Sequence, residues 1–420
     1  MNAAPLVRNH FERSAAAAEA FFGAHALEIA GTCRRMADRF DRGGTLFVFG
    51  SGAQATDAQH VAVEFVHPVI VGKRALPALA LTSDTSVLSG ALRSDPDAAF
   101  AAALDTLGGP ADIAMGLCSG EPDARLDRAL ATARRRGMLT LLAAAGGAAA
   151  SSADSEFHVP TADPLLAQEI HETLYHLLWE LVHVFFESRS ALNPFQLVEP
   201  SLEARLDAAI EDVRHSILRK AADVAELRRA MASTYGDRLG DAAVAMAARI
   251  RAGGKVLAFG NGGSATDAQD VAADCMLPDD ARSPAVAALA LPNDVAVVTA
   301  IANDVGVEHV FARQLEAFGR RGDVALGFST SGTSRNVVRA FETAKRRGLL
   351  TIAFSGTGGG ALAGAGAVDY CFTTAADYVP RIQETHATAW HALVRAMRAA
   401  LVNPAASVAG AAAATRGAGA

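Results

Sequence analysis

The chain carries one sequence twice. Residues 49–59 (FGSGAQATDAQ) recur as residues 259–269 (FGNGGSATDAQ), with most positions identical at an offset of 210 residues. Other segments match at nearly the same offset, and residues 132–137 correspond to residues 343–348. A period this long is far beyond that of a solenoid repeat. The repeat therefore predicts two copies of one whole domain. Because the copies differ at polar positions, each serves as a control for the other.

Length and composition fit two soluble α/β domains. The 420 residues are 51% hydrophobic and 20% charged, with a formal net charge of −7. This charge predicts neither a nucleic-acid partner nor an anionic membrane partner. The four cysteines show no C-x-x-C spacing, which argues against a zinc ribbon or a disulfide framework. The N-terminus lacks a signal-peptide pattern and no apolar run is long enough for a membrane span, so we expect a cytoplasmic protein.

Each copy predicts the same order of elements. Short apolar runs that end at glycine or polar turns are typical of buried parallel strands, and helices separate them. The alternation indicates a doubly wound parallel sheet flanked by helices, with an N-terminal helical extension. The predicted strands are 45–50, 78–81, 113–117 and 139–143 in copy one, and 255–260, 287–291, 324–328 and 350–354 in copy two. The long helices are predicted at 8–41, about 167–187, about 201–251 and 382–402, and a further helix starts at Asp57 or Asp267.

The repeat also sets the predicted domain boundaries. The first domain covers residues 1–195 and the second covers residues 196–404. Residues 188–200 contain two prolines and are predicted to be the linker between them. Residues 405–420 are rich in alanine and glycine, with one charge, which predicts a disordered tail.

Two polar loops in copy two suit a phosphorylated ligand. The turn at residues 260–264 (GNGGS) joins a strand to a helix, so free backbone N–H groups meet the positive helix end there. Such a turn can also be a tight turn with no ligand. The second loop, residues 329–334 (STSGTS), is called here the serine loop. Its five hydroxyls offer several donors to one anion, whereas helix capping explains only one of them. Copy one has Glu121 and Asp123 in the matching loop, which should repel phosphate.

Copy one instead carries a candidate metal site. His60 and Glu64 are four residues apart on one helix, so they share a face. Gln168 and His176 are eight residues apart on the last helix of the copy and again lie near one face. These donors suit Zn²⁺ or a similar divalent ion, although single histidines on helices are more often structural. Copy two has Asp270, Asp274, Gln383 and His391 at the four corresponding positions, so half of the set is changed there.

These motifs together resemble a known family. The pattern N-G-G-S-x-x-D-A, then Asn303-Asp304, then S-T-S-G-x-S, then R-I-Q-E-x-H at residues 381–386 is similar to the sugar isomerase (SIS) family. More narrowly it resembles the phosphoheptose isomerases, which convert sedoheptulose 7-phosphate to a heptose 7-phosphate. The resemblance covers residues 8–187 and 201–402, and it is more specific in copy two.

The resemblance implies roles for individual residues. In the family, the His and Glu after the glycine turn and the Gln and His of the last helix bind zinc at the catalytic centre, and the turn, the Asn-Asp pair and the serine loop hold the sugar phosphate. The implied metal ligands here are His60, Glu64, Gln168 and His176, of which Glu64 and His176 are also the implied catalytic residues. The implied substrate-binding residues are Asn261, Gly262, Gly263, Ser264, Asn303, Asp304, Ser329, Thr330, Ser331, Ser334, Gln383 and His391.

Neither copy matches the family completely. Copy one has Ser51 for the turn asparagine, Gln54 for the turn serine and an eroded phosphate loop, and copy two lacks the zinc His and Glu. SIS proteins form dimers with active sites at or near the subunit interface. We therefore expect one shared site that uses the metal and acid–base residues of copy one with the phosphate loop of copy two, in a chain that dimerises to a pseudo-tetramer. The alternative is a non-catalytic SIS protein that senses phosphosugars or binds proteins.

Overall fold

The structure, a computed structural model, describes most of the chain. The described residues are 2–70, 72–119, 123–146, 153–190, 201–278, 283–364, 366 and 368–402. The predicted tail and residues 191–200 of the predicted linker lie outside them. The rest of that linker prediction, residues 188–190, is wrong, because the last helix of copy one continues to Ser190.

In the described residues, ten strands form two parallel sheets of five strands each. Most of the central strands are buried along their whole length, as their continuous apolar sequences require. The strands of copy one are β1 Leu46–Gly50, β2 Ala78–Ala80, β3 Ile113–Cys118, β4 Leu139–Ala145 and β5 Ser155–Val159. Those of copy two are β6 Val256–Phe259, β7 Ala288–Ala290, β8 Val324–Ser329, β9 Leu350–Ser355 and β10 Tyr370–Thr373.

Helices separate most of the strands in both copies. Copy one contains α1 Ala4–Asp41, α2 Gln54–Val66, α3 Thr85–Ser94, α4 Ala99–Leu107, α5 Ala124–Arg135 and α6 Pro164–Ser190. Copy two contains α7 Leu202–Arg251, α8 Gly263–Met276, α9 Val295–Asp304, α10 Val310–Phe318, α11 Arg335–Arg346, α12 Gly360–Gly364 and α13 Val379–Val402. The helices α2 and α8 each start a few residues before the predicted Asp57 and Asp267, directly after the glycine turn. None of the helices in the described part of the chain is long and apolar enough to cross a membrane.

Both sheets have the same strand order, which confirms the predicted doubly wound fold. The order is β2-β1-β3-β4-β5 in copy one, and β7-β6-β8-β9-β10 is its equivalent in copy two. In such a sheet the strand order reverses between two neighbouring strands, which are β1 and β3 in copy one and β6 and β8 in copy two. Ligands bind outside the carboxyl ends of the strands at that point. The glycine turn follows β6 and the serine loop follows β8, so the topology brings the two predicted binding loops together.

The chain divides into two compact units. One, called here the copy-one unit, is Ala16–Ala225; the other, the copy-two unit, is Met1–Ala15 with Glu226–Ala420. Each unit therefore includes a segment of the long helix that begins the other copy. In the copy-two unit, Val7 and Phe11 of α1 are fully buried in the same apolar core as Trp390 of α13. The predicted boundaries, 1–195 and 196–404, follow the repeat and remain a prediction about sequence domains.

A buried histidine makes the stability of the copy-two unit depend on pH. His386 of α13 donates from Nε2 to the Ser355 carbonyl oxygen at 3.0 Å. Burial lowers the pKa of His386 to about 4, and the contact with Ser355 opposes this only in part. His171 occupies the equivalent place in copy one, where burial also lowers its pKa to about 4, against the opposing contact with Ala144.

We expect the protein to lose stability as the pH falls from about 6.5 toward 4. The unfolded chain takes up a proton on His386 in this range while the folded chain does not, so acid favours unfolding. A depression of this size corresponds to about 3 kcal/mol for one fully buried group. Urea unfolding of wild type and His386→Gln between pH 7 and pH 4.5 measures the effect. The variant should show a shallower decline, and parallel curves would contradict the assignment.

Candidate functional site

The metal-type residues of copy one lie on two helices, α2 and α6. The helix α2 follows the glycine turn after β1, and its apolar residues Ala58, Val61 and Phe65 pack into the core of the copy-one unit. His60 and Glu64 follow the same helical spacing and are each only 3% exposed. The helix α6 is buried along most of its length, and α2 packs against it. Two polar faces therefore meet inside an otherwise apolar unit.

His60 is held from several sides. The Tyr175 hydroxyl lies 2.9 Å from His60 Nδ1, and His60 Nε2 lies 3.7 Å from Oε1 of Glu64. The ring of His176 meets the ring of His60 edge to face, with centroids 5.2 Å apart. The structure thus brings together three of the four predicted metal ligands. Gln168, the fourth, is buried on α6 two turns before His176.

Glu64 is ionised in this setting. Burial by itself raises the pKa of a carboxyl group, but the hydrogen bond with His60 and the charges of His176, His60 and His67 outweigh it and lower the pKa of Glu64. Its second oxygen, Oε2, is buried and has no hydrogen-bond partner in the structure. A buried carboxylate oxygen without a partner is costly, so this oxygen is suited to a metal ion or to a substrate proton.

The sequence prediction missed two residues of this cluster. Glu172 of α6 joins His60 and His176 in a buried group whose ligand atoms all lie within 4.8 Å of one another. Its spacing of four residues from both Gln168 and His176 was a usable signal, because it puts all three on one helix face. Tyr175 had no comparable signal, since its contact with His60 is tertiary. The nitrogen and carboxylate donors of this cluster fit a zinc-type ion.

The glycine turn of copy two is joined to the helix after the serine loop. Asn261 and Asn336 exchange two amide hydrogen bonds, of 3.0 and 2.7 Å. Gly262 has φ +57°, a conformation that glycine adopts freely, and α8 begins at the next residue. Gly263 and Ser264 open that helix and are buried. The sequence prediction named Asn261 but missed Asn336, which lies two residues beyond the serine loop.

The serine loop is ordered by its own hydroxyls. Ser329 donates to the Ser334 hydroxyl at 3.0 Å, and Ser331 accepts from the backbone N–H and the hydroxyl of Thr333. Gly332 has φ +64° and lies against the turn before α12, where a side chain would clash with the Gly359 carbonyl. Ser334 precedes α11 and makes no side-chain capping hydrogen bond. The loop therefore presents hydroxyls at a helix N-terminus, as an anion site requires.

The other predicted substrate residues lie on helices of the copy-two unit. Asn303 and Asp304 end α9, are exposed, and share a hydrogen bond of 2.8 Å. Gln383 and His391 are buried on α13. Asp270, the copy-two counterpart of His60, is buried on α8, which packs against α13. A cavity of about 410 Å³ opens beside the loop and is lined in part by Thr333, Arg335 and Arg339.

Copy one has a carboxylate where copy two has the last serine of the loop. Asp123 precedes α5, caps it by accepting from the Arg125 N–H, and accepts from the Ser51 hydroxyl at 2.6 Å. Burial tends to raise the pKa of Asp123, but its hydrogen bonds with Arg125 and Ser51 lower it overall. This carboxylate is also paired with the Arg125 guanidinium, at 2.8 Å, and the repulsion of phosphate by this loop stays a prediction. Glu121 lies outside the described residues.

The family follows from comparison with known proteins. The model of the SIS domain family matches residues 9–141 and 221–356. The chain therefore belongs to the SIS domain family, with one match in each copy, and this confirms the predicted fold class of two tandem SIS domains.

Individual relatives indicate a narrower kinship than the family model does. The phosphoheptose isomerase of Thermodesulfovibrio yellowstonii is 49% identical over 148 residues, which are 35% of this chain and 73% of that protein. The phosphoheptose isomerase of Desulfovibrio desulfuricans is 45% identical over 174 residues, which are 41% of this chain and 81% of that protein. Among solved structures, the C-terminal domain of glucosamine-fructose-6-phosphate aminotransferase from Francisella tularensis has a TM-score of 0.58 at 9% identity. It covers 93% of this chain and 94% of that one, a likeness of fold alone.

Proposed function

We propose that this protein converts sedoheptulose 7-phosphate to a heptose 7-phosphate by aldose–ketose isomerisation. The broader class, an enzyme that isomerises sugar phosphates, is confirmed by the phosphoheptose isomerase relatives. The observation that supports the narrower proposal most is the buried cluster of His60, Glu64 and His176. It places a carboxylate and two imidazoles in one buried site, and these groups can act as the general base and acid that move protons on a sugar.

The serine loop is the proposed phosphate site. Its hydroxyls and the N-terminus of α11 would donate to the phosphoryl oxygens, with the Asn261–Asn336 pair fixing the neighbouring turn. Binding the phosphate end holds the sugar in place while its other end reacts. Remote binding of this kind lowers the barrier by positioning the reacting carbons.

The proton transfers are assigned to copy-one residues. The Glu64 carboxylate would take a proton from C1 of the ketose, which gives an enediolate, and would return it to C2. His176 would carry a proton between the carbonyl and hydroxyl oxygens. His60, Glu64, Gln168 and His176 are the proposed holders of Zn²⁺ or another divalent ion. Such an ion supplies electrostatic stabilisation of negative charge on the substrate oxygen.

The site is proposed to be shared between the copies. The support is complementary loss: copy one keeps all four implied metal ligands, and copy two keeps the whole serine loop. Independent decay of two complete sites has no reason to produce this division. We further propose that chains pair to a dimer that imitates the tetramer of a single-domain protein.

Turnover by the purified, metal-loaded full chain tests the function. We expect interconversion of sedoheptulose 7-phosphate with an aldose phosphate, followed by coupled assay or NMR, and sensitivity to chelators. Failure with this substrate and with other C5–C7 sugar phosphates would refute the isomerase proposal.

Two full-length variants test the shared site. Glu64→Gln changes copy one alone and Ser331→Ala changes copy two alone, so a shared site predicts that either variant impairs all turnover. Mixing the two variants should restore little activity if each site forms within one chain, and a substantial part if sites form between chains. Full activity of either variant would end the shared-site proposal.

A non-catalytic phosphosugar sensor is the second candidate. It is favoured by copy two, which keeps the serine loop but has Asp270 and Asp274 in place of the metal His and Glu. His60→Ala separates the candidates. An enzyme should lose bound metal together with turnover, whereas a sensor should bind phosphosugar unchanged, with no metal and no turnover in the wild type.

Phosphate affinity should reside in copy two. Replacing Ser331 with alanine should weaken phosphosugar binding by about 1–2 kcal/mol, the value of one hydrogen bond to a charged group. Removing the serine hydroxyl of the corresponding loop in copy one, by Ser119→Ala, should have almost no effect, because the Asp123 carboxylate already disfavours an anion there. Calorimetric titration measures both variants, and equal losses would contradict the asymmetry.

A further inference from the structure

Glu172 is a buried carboxylate that the family pattern does not explain. The metal ligands implied by the resemblance are His60, Glu64, Gln168 and His176, and Glu172 is not among them. It is nevertheless 4% exposed and lies on α6 midway between Gln168 and His176. Four-residue steps along a helix keep side chains on one face, so Glu172 points the same way as both implied ligands.

Its surroundings are those of a metal ligand. A carboxylate oxygen of Glu172 and one ring nitrogen each of His60 and His176 all lie within 4.8 Å of one another. A single ion at the centre of such a triangle needs only small side-chain movements to reach zinc–ligand distances of about 2.0–2.2 Å. Two histidines and one carboxylate are also a common ligand set of catalytic zinc.

The composition of the cluster supports this assignment. Glu64 and Glu172 bring two carboxyl side chains to the imidazoles of His60 and His176 in one buried site, and a divalent cation can share such a set of donors.

The second copy provides an internal comparison. The residue equivalent to Glu172 is Ala387, and the residue equivalent to His60 is Asp270. The carboxylate and the histidine are therefore present together in copy one and absent together in copy two. If Glu172 only stabilised α6, its presence would not be expected to depend on whether α2 carries a histidine.

We propose that Glu172 is a direct ligand of the divalent metal of copy one, together with His60 and His176. The inference rests on the metal site of the proposed function and does not depend on which sugar is isomerised. It assigns this chain a ligand set with one more carboxylate than the family pattern supplies.

Cobalt substitution with a thiolate tests direct contact. Glu172→Cys, loaded with Co²⁺, should show a sulfur-to-cobalt charge-transfer band in the near ultraviolet that wild type lacks. Glu180→Cys is the matched control, because Glu180 lies two turns further along α6 in an ion pair with Lys220. The control should show no band. Absence of the band in a folded, Co²⁺-binding Glu172→Cys protein would overturn the inference.

Zinc affinity provides the second readout. Glu172→Ala introduces the copy-two residue, and Glu172→Gln keeps the shape while removing the charge. Both should bind Zn²⁺ at least 10-fold more weakly than wild type, with thermal unfolding of the metal-free proteins checking that they fold. Unchanged zinc affinity in both, or no zinc bound by wild type, would overturn the inference. Turnover is scored separately: an inactive wild type, together with a cobalt band in Glu172→Cys, refutes only the isomerase proposal.

Discussion

Replacing Glu64 with glutamine should reduce turnover by about 10³-fold or more, the largest loss expected from any single change in this protein. The amide has almost the same shape as the carboxylate but cannot accept the carbon-bound proton, and general base catalysis contributes about 10²–10⁴-fold. Loss of a charged donor to the metal would add to the effect. Steady-state kinetics with sedoheptulose 7-phosphate measures the change, which should appear in kcat more than in KM.

The control for this variant is its own fold and ligand binding. Glu64→Gln should bind phosphosugar with near wild-type affinity, because the proposed phosphate site belongs to copy two. Its thermal unfolding should remain cooperative and fall only modestly below wild type, since the amide keeps the shape of the side chain and loses the ion pair with His60. A variant that retained more than a tenth of wild-type kcat would exclude Glu64 as the base.

Replacing Ser334 with aspartate should weaken phosphosugar binding by at least about 100-fold. The change removes one hydroxyl from the serine loop and places a carboxylate beside the phosphate. Loss of the hydrogen bond costs about 1–2 kcal/mol, and a like charge in direct contact adds several more. The substitution gives copy two the residue that copy one has, because Asp123 occupies the equivalent position there. Calorimetric titration with sedoheptulose 7-phosphate gives the affinity.

Two variants isolate the effect of charge. Ser334→Ala removes the hydroxyl without adding a carboxylate, so it should bind phosphosugar about 10-fold or more tightly than Ser334→Asp does. Asp123→Ser makes the opposite change in copy one and should leave affinity within about 2-fold of wild type. If Ser334→Asp bound as tightly as Ser334→Ala, the phosphate would have to lie elsewhere.

The central strands could be predicted from sequence because each is a run of apolar residues ending at a turn. The runs before Gly50 and Gly260 are buried throughout, so their composition alone identifies them. The edge strands β5 and β10 were missed for the opposite reason. Ser155–Val159 alternates between buried and half-buried residues and includes Glu156 and His158, and most of Tyr370–Thr373 is only half-buried. An edge strand needs no continuous apolar run, so composition does not reveal these two, whereas the apolar edge strands β2 and β7 were predicted.

From the sequence, the site could be predicted only where helical spacing puts two side chains on one face of the same helix. His60 and Glu64 share a helix, so their common face follows from a separation of four residues. The contact of both with α6 depends on how two distant helices pack, and the resemblance supplied it. Tyr175 and Asn336 enter the site through tertiary hydrogen bonds that no local pattern records. Contacts of this kind require the structure.

The helical segments that the two units exchange also set the order in which the chain can fold during synthesis. Residues 2–15 leave the ribosome long before α13 is made, yet Val7 and Phe11 are buried in one core with Trp390 of α13. The copy-one unit ends at Ala225 and can close while translation of copy two continues. Throughout that interval the N-terminal segment has no partner for its apolar side chains. Nascent chains stalled at a length that leaves residue 225 just outside the ribosome should therefore be cut by protease within the first 15 residues, while α2 to α6 are protected.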